Sequence, residues 1–134
     1  MIVVDTNIIA YLFLPGEYTP LAERLLQQDP DWAAPVLWRS ELRNVLALYM
    51  RRQQLPFERA LAIQNEAESL FAESEYEPDS HRVLSLVQSS DCSAYDCEFV
   101  ALAKYLDVRL LTQDKKVLAA FPQIALSLKD IFPD

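Results

Sequence analysis

The apolar positions of this chain follow two periods. Short continuous apolar runs predict buried strands, and longer stretches with apolar residues three or four apart predict helices. Met1 to Val4 is a continuous run rich in β-branched residues and predicts a short buried strand. Thr6 to Phe13 predicts a helix that stops near Pro15 and Gly16. Thr19 and Pro20 predict a second helix start, with Thr19 as cap and Pro20 in the first turn. Leu21, Leu25 and Leu26 share its face, and Pro30 lies beyond its end. "WAAPVLW" (32–38) predicts a second short strand or extended entry, broken at Pro35. Leu42, Val45, Leu46 and Tyr49 then mark the longest helical pattern, starting near Trp38, Arg39 or Ser40 and ended by Pro56. Residues 56–74 predict a further helix, and "EYEPDS" (75–80) a turn or very short strand. "HRVLSLVQ" (81–88) and "AYDCEFVALAKYL" (94–106) predict two helices joined by the polar connector "SSDCS". "VRLLT" (108–112) predicts a strand, "KKVLAAF" (115–121) a short helix and "IALSL" (124–128) a last strand.

Apolar strands separated by helices imply a parallel sheet covered on both faces, an α/β fold with three layers. At 134 residues the chain is expected to form one domain, 1–134. Gly16 is its only glycine. A Gly-rich phosphate loop is therefore excluded, and with it the dinucleotide fingerprint and the Walker loop. No apolar stretch approaches the ~18 residues of a membrane span, and no basic leader precedes the first strand, so a cytoplasmic location without membrane attachment is expected. Cys92 and Cys97 are too few for a disulfide scaffold and read as structural thiols. With His81 as the only histidine, Cys/His zinc spacing is absent.

The formal net charge of −8 argues against a polyanion binder held by bulk electrostatics. It is compatible with a nucleic-acid enzyme that gathers carboxylates around a metal. In an open parallel sheet, ligands sit beyond the carboxyl ends of the strands. Asp5 and Asp114 follow two predicted strands, while Glu41 and Asp96 fall near the starts of two predicted helices. Taken singly, Asp5 and Asp114 read as helix caps, and Glu41 and Asp96 as acids that complement a helix dipole. Taken together, four carboxylates facing one crevice would repel one another and raise one another's pKa. A hard divalent cation, Mg²⁺ or Mn²⁺, would relieve that repulsion through oxygen ligands.

"VVDTNIIAYL", "SELRNVL", "SAYDCEFVALAKYL" and "LLTQDKKVL" resemble, in order and over nearly the whole chain, the four motifs of PIN-domain ribonucleases. Size and spacing are most similar to the VapC toxins of toxin–antitoxin pairs. The resemblance implies a PIN-like three-layer α/β/α fold with a central parallel sheet wrapped by helices. It implies metal-dependent endonucleolytic cleavage of RNA by activated water, a VapB-like antitoxin partner, and a homodimer. Carried onto this chain, it makes Asp5, Glu41, Asp96 and Asp114 the acidic quartet. Asp5 and Asp96 would hold the main metal, with Glu41 and Asp114 acting directly or through water. Thr6 or Asn7 matches the polar pair after the first acid, and Thr112 the supporting hydroxyl before the last. Where the family often has Gly after the third-motif helix, this chain has Asp107, expected in the left-handed conformation.

Several residues near these motifs have two readings. Arg39 and Arg43 bracket Glu41 and would either contact RNA phosphate or pair with a nearby acid. Arg51, Arg52, Lys115 and Lys116 are further basic residues, read by default as solvated surface. Glu98 would point ~200° around its helix from Asp96, off the metal site. Asp91 reads as a solvated connector residue and His81 as non-catalytic. Leu48, Tyr49, Leu55, Phe57, Leu61 and Phe71 lie on a helical hairpin, divided between core and a partner face in proportions the pattern does not separate. Two other functions remain open: a catalytically weak PIN-like binding module, and a phosphoacceptor receiver domain, which would need a second acid at the first strand.

Overall fold

The computed structural model describes all 134 residues. The chain runs β1 (Ile2–Val4), α1 (Thr6–Phe13), α2 (Thr19–Gln28), β2 (Trp32–Pro35), α3 (Leu37–Arg51), α4 (Phe57–Leu70), β3 (Glu75–Tyr76), α5 (Ser80–Gln88), α6 (Ala94–Leu106), β4 (Leu110–Leu111), α7 (Lys115–Ala120), β5 (Ala125–Leu126) and α8 (Leu128–Ile131). The five strands form one sheet in the order β3-β2-β1-β4-β5. Every pairing is parallel, so each strand needs a helical crossover to reach the next. The order sets the architecture. From β1 the chain steps outward through β2 to β3, then returns across the sheet to β4 on the far side of β1. With right-handed crossovers, α1–α4 and then α5–α7 fall on opposite faces. The α6 helix packs across β1, β2 and β4, and α5 packs on α6.

Continuous apolar strands follow from this burial on both faces. Val3, Val4, Ala33, Ala34, Leu110 and Leu111 are all inaccessible to solvent or nearly so. Trp38 stacks on Phe71 with ring centroids 4.9 Å apart, closing the core between α3 and the end of α4. The hairpin residues left ambiguous by the pattern now divide. Phe71 is core, Tyr49 and Leu55 are partly buried, and Leu48, Phe57 and Leu61 are exposed. Cys92 and Cys97 are free and buried, and His81 is exposed. No helix is long and apolar enough to cross a membrane.

Three local details differ from the pattern. Thr19 lies one residue inside α2, and Tyr18 holds the cap position without a side-chain bond. The Thr19 hydroxyl instead donates to the Tyr11 carbonyl (2.6 Å) and accepts from the Gly16 N–H (3.0 Å), tying α2 to the loop after α1. The strand expected over 124–128 stops at Leu126, because Ser127 and Asp130 form a capping box that starts α8. The α3 helix begins at Leu37, directly after the strand, with no polar cap.

Asp107 has φ 57° and ψ 47° and closes α6 in the left-handed conformation. The Val108 N–H returns to the Ala103 carbonyl (3.0 Å), and the Asp107 N–H to that of Lys104 (3.2 Å). This is a Schellman closure with Asp in place of the usual Gly. Asp107→Gly is expected to hold or raise stability, and Asp107→Val to lower it by about 1–2 kcal/mol, read from urea midpoints at constant m.

Candidate active site

The chain reverses direction in the sheet between β1 and β4, and the crevice beyond their carboxyl ends is where an open α/β sheet binds ligands. Here a crevice of about 460 Å³ is lined by all four acids: Asp5, Glu41, Asp96 and Asp114. Thr6, Asn7, Ser40, Asn44, Tyr95 and Thr112 also line it. The quartet shares one crevice because Asp5 and Asp114 sit where a strand turns into a helix, and Glu41 and Asp96 stand in the first two turns of α3 and α6. Asp5 follows β1 and caps α1 through the Ile8 N–H (3.1 Å). Asp114 follows β4 and caps α7 through the Val117 N–H (2.9 Å). Asp96 stands in the first turn of α6, whose cap is the Ser93 hydroxyl. Glu41 lies in the second turn of α3. The capping and crevice readings of Asp5 and Asp114 are therefore both true: one carboxylate oxygen serves the helix, and the residue faces the crevice.

Two threonines fix the acids. Thr112, 1% exposed, donates its hydroxyl to Asp5 Oδ2 and accepts the Asp114 N–H (3.0 Å), joining two of the acids through one side chain. Thr6 donates to Glu41 Oε1 (2.7 Å), bracing the third. Asn7 is exposed on the rim.

The crevice is electrostatically strained. Desolvation pushes the Asp5 carboxyl up to about 6, with the Glu41 charge adding to the rise and the Thr112 and Ile8 hydrogen bonds opposing it. Glu41 is raised by desolvation and by the charge of Asp96. Asp96 is raised by desolvation and by the charge of Asp114, against a lowering by Ser93 and Lys116. No lysine or arginine lines the crevice. The donor set is all oxygen and anionic, which suits a hard divalent ion in kind and in charge. Glu41 and Asp114 each have one oxygen committed to a protein hydrogen bond and the other available. As the side chains stand, no three acids are gathered tightly enough to chelate an ion. Binding would therefore need their carboxylates to swing inward.

The neighbouring residues sort clearly. Arg39 forms a two-pronged pair with Glu75 (2.6 and 2.7 Å) and reaches Glu68 (3.1 Å), while Trp38 Nε1 also donates to Glu75 (2.8 Å). Of its two readings the ion pair is the one realised, and Arg39 does not line the crevice. Arg43 lies 3.8 Å from Glu68, more exposed and less committed. Glu98 does not line the crevice, although the Glu41 charge helps raise its carboxyl. Asp91 is exposed in its connector. The sequence reading missed Ser40, Asn44 and Tyr95. Two signals were available: Asn44 follows Glu41 by three residues on α3, and Tyr95 directly precedes Asp96.

A parallel sheet with a carboxylate cluster at its switch point defines an α/β protein with an anionic, all-oxygen crevice. The chain belongs to the PIN-domain family, whose model matches residues 2–124. It is 29% identical to Ribonuclease VapC3 of Pyrobaculum aerophilum, across 92% of this chain and 96% of that protein. Its fold is similar to that of the crystal structure of PAE2754, also from P. aerophilum (TM-score 0.77, 19% identity, 98% of this chain and 93% of that one). It is also similar to a chain in a toxin–antitoxin complex from Klebsiella pneumoniae (TM-score 0.69, 20% identity, 96% of this chain and 98% of that one). The sheet order also differs from the 2-1-3-4-5 order of flavodoxin-like folds, to which receivers belong, so the receiver reading is withdrawn.

Because the Asp5 carboxyl is raised, the folded state holds its proton more tightly than the unfolded chain does. Metal-free stability should therefore fall as pH rises from about 4 through about 6, by up to about 3 kcal/mol from Asp5 alone. Asp5→Asn should raise the melting temperature of the metal-free protein at pH 8, with the difference vanishing near pH 4. Calorimetry across that range checks both.

Proposed function

We propose that the crevice is a divalent-metal centre for hydrolysis of RNA phosphodiester bonds. The observation that carries this reading is the convergence of four oxygen-donor acids on one crevice with no protein cation among them. Asp5 and Asp96 would hold Mg²⁺ or Mn²⁺, with Glu41 and Asp114 completing the set directly or through water. When bound, such an ion lowers the pKa of a coordinated water and neutralises charge developing on the scissile phosphate. The chain's own residues supply the rest. Thr112 holds Asp5 by its Oδ2 and keeps it ionisable against desolvation. Thr6 fixes the orientation of Glu41 across the crevice. Asn7, beside them, would position water or substrate. Arg43 is a candidate phosphate contact at the periphery, whereas Arg39 acts by holding the first turns of α3 to β3 and α4.

The biological role proposed is that of the toxin of a toxin–antitoxin pair, acting as a homodimer and held inactive by a VapB-like antitoxin. The name of the P. aerophilum relative and the Klebsiella complex support it. The exposed Leu48, Phe57 and Leu61 on α3 and α4 offer an apolar surface for such a partner.

Asp5→Asn and Asp96→Asn are each expected to cut RNA cleavage by about 100-fold or more while circular dichroism stays unchanged. EDTA should abolish wild-type cleavage and Mg²⁺ or Mn²⁺ restore it, whereas His81→Ala should cleave as wild type. Full activity in either acid variant would contradict the ligand assignment. A second reading, a binding module with weak catalysis, is favoured by the open spacing of the carboxylates. It predicts RNA binding with little or no cleavage at saturating Mn²⁺.

A further inference from the structure

The crevice poses a binding problem that its acids do not solve. RNA is a polyanion, and proteins that grip it by phosphate contacts use Lys and Arg. The lining here contains four acids and no basic residue, on a chain of net charge −8. Lys116 is the cation whose charge reaches Asp96, and it is exposed outside the lining. Within the crevice, contacts other than phosphate salt links must therefore register the strand.

One lining residue is suited to that task. Tyr95 stands beside Asp96 in the first turn of α6, lines the crevice, and is 62% exposed. A large aromatic ring left mostly open at a polar crevice buries little of its area in the fold. It has neither an aromatic nor a cationic partner of its own, unlike Tyr11 with Tyr18 or Tyr105 with Arg82. Every nucleobase has a π-face, and aromatic rings on which unpaired bases stack are a recurring element of single-stranded RNA binding. Asn44 and Ser40 are exposed lining residues with hydrogen-bonding groups that suit a base edge.

We propose that Tyr95 is a stacking platform for one unpaired nucleobase of single-stranded RNA entering the crevice, setting the strand's register against Asp96. The proposal rests on the ribonuclease reading. The stacked base must be unpaired, because a base paired inside an A-form helix cannot present its face to the ring.

The test measures binding by fluorescence anisotropy with Ca²⁺ in place of Mg²⁺. The probes are a 5′-fluorescein single-stranded A12 RNA and a 12-mer ribose-phosphate strand lacking bases. Tyr95→Ala should weaken A12 binding by roughly 5- to 100-fold, and Tyr95→Phe should bind as wild type. On the base-free strand wild type and Tyr95→Ala should bind equally. Equal A12 affinity for wild type and Tyr95→Ala would overturn the proposal. So would an equal loss on the base-free strand, or a loss in Tyr95→Phe as large as in Tyr95→Ala. If Tyr95→Ala left A12 binding intact but changed the oligomeric state by light scattering, the ring would belong to a protein interface and the proposal would fail. Wild type that bound neither strand and cleaved no RNA would bring down the ribonuclease reading itself. Intact cleavage with unchanged A12 affinity in Tyr95→Ala would remove the stacking role alone.

Discussion

A carboxylate at the end of the central strand, held by a hydroxyl from the strand beside it, is the constraint on which the rest of this structure turns. Asp5 leaves β1 where desolvation works against its charge, and Thr112 from the end of β4 donates to it. The pairing is available only because β4 lies next to β1 in the sheet, with the Asp5 N–H bonded to the Leu111 carbonyl (3.1 Å). That adjacency comes from the long return through α5 and α6, which also delivers Asp96. One topological step thus places two further acids, Asp96 and Asp114, near the first.

The arrangement sets stability against function. Burial and like charge raise Asp5, Glu41 and Asp96 together, so the crevice weakens the fold at neutral pH when no cation is bound. The surroundings offset this with interactions that do not neutralise the acids. The Arg39–Glu75–Glu68 cluster and the Trp38 ring anchor the base of α3, and the helix caps hold Asp5 and Asp114 in place. A protein that sought only stability would place a lysine or arginine among the quartet. Its absence leaves the negative charge available to a ligand that brings its own positive charge, the pattern expected of a functional rather than a structural cluster.

Much of this was legible along the chain. Parallel strands announce themselves by continuous apolar runs, as Met1 to Val4 and "VRLLT" do; the left-handed Asp107 followed from the family resemblance, which implies a glycine there, and from the tolerance of Asp for that conformation. The acids were legible because a parallel sheet puts strand exits and helix starts on one side, so order along the chain becomes proximity in space. Other features depend on pairs distant in sequence. Glu75 captures Arg39 from 36 residues away, and nothing local in "EYEPDS" marks it as that partner. Which apolar side chains of α3 and α4 face water depends on how the hairpin docks, so Phe57 and Phe71, at opposite ends of α4, have opposite fates. The α8 capping box was readable and overlooked, because "IALSL" looked like a strand to its end.

The proposal that the quartet binds a divalent cation is tested most directly by proton release on metal binding. Burial pushes the Asp5 carboxyl up to about 6, so an ion that binds it near that pH must displace a proton. Calorimetric titration of Mg²⁺ in buffers of different ionisation enthalpy should show proton release at pH 6 that falls towards none at pH 8, and a smaller release at pH 6 in Asp5→Asn than in wild type. Binding with no proton release at pH 6, or binding unchanged in Asp5→Asn, would contradict the account.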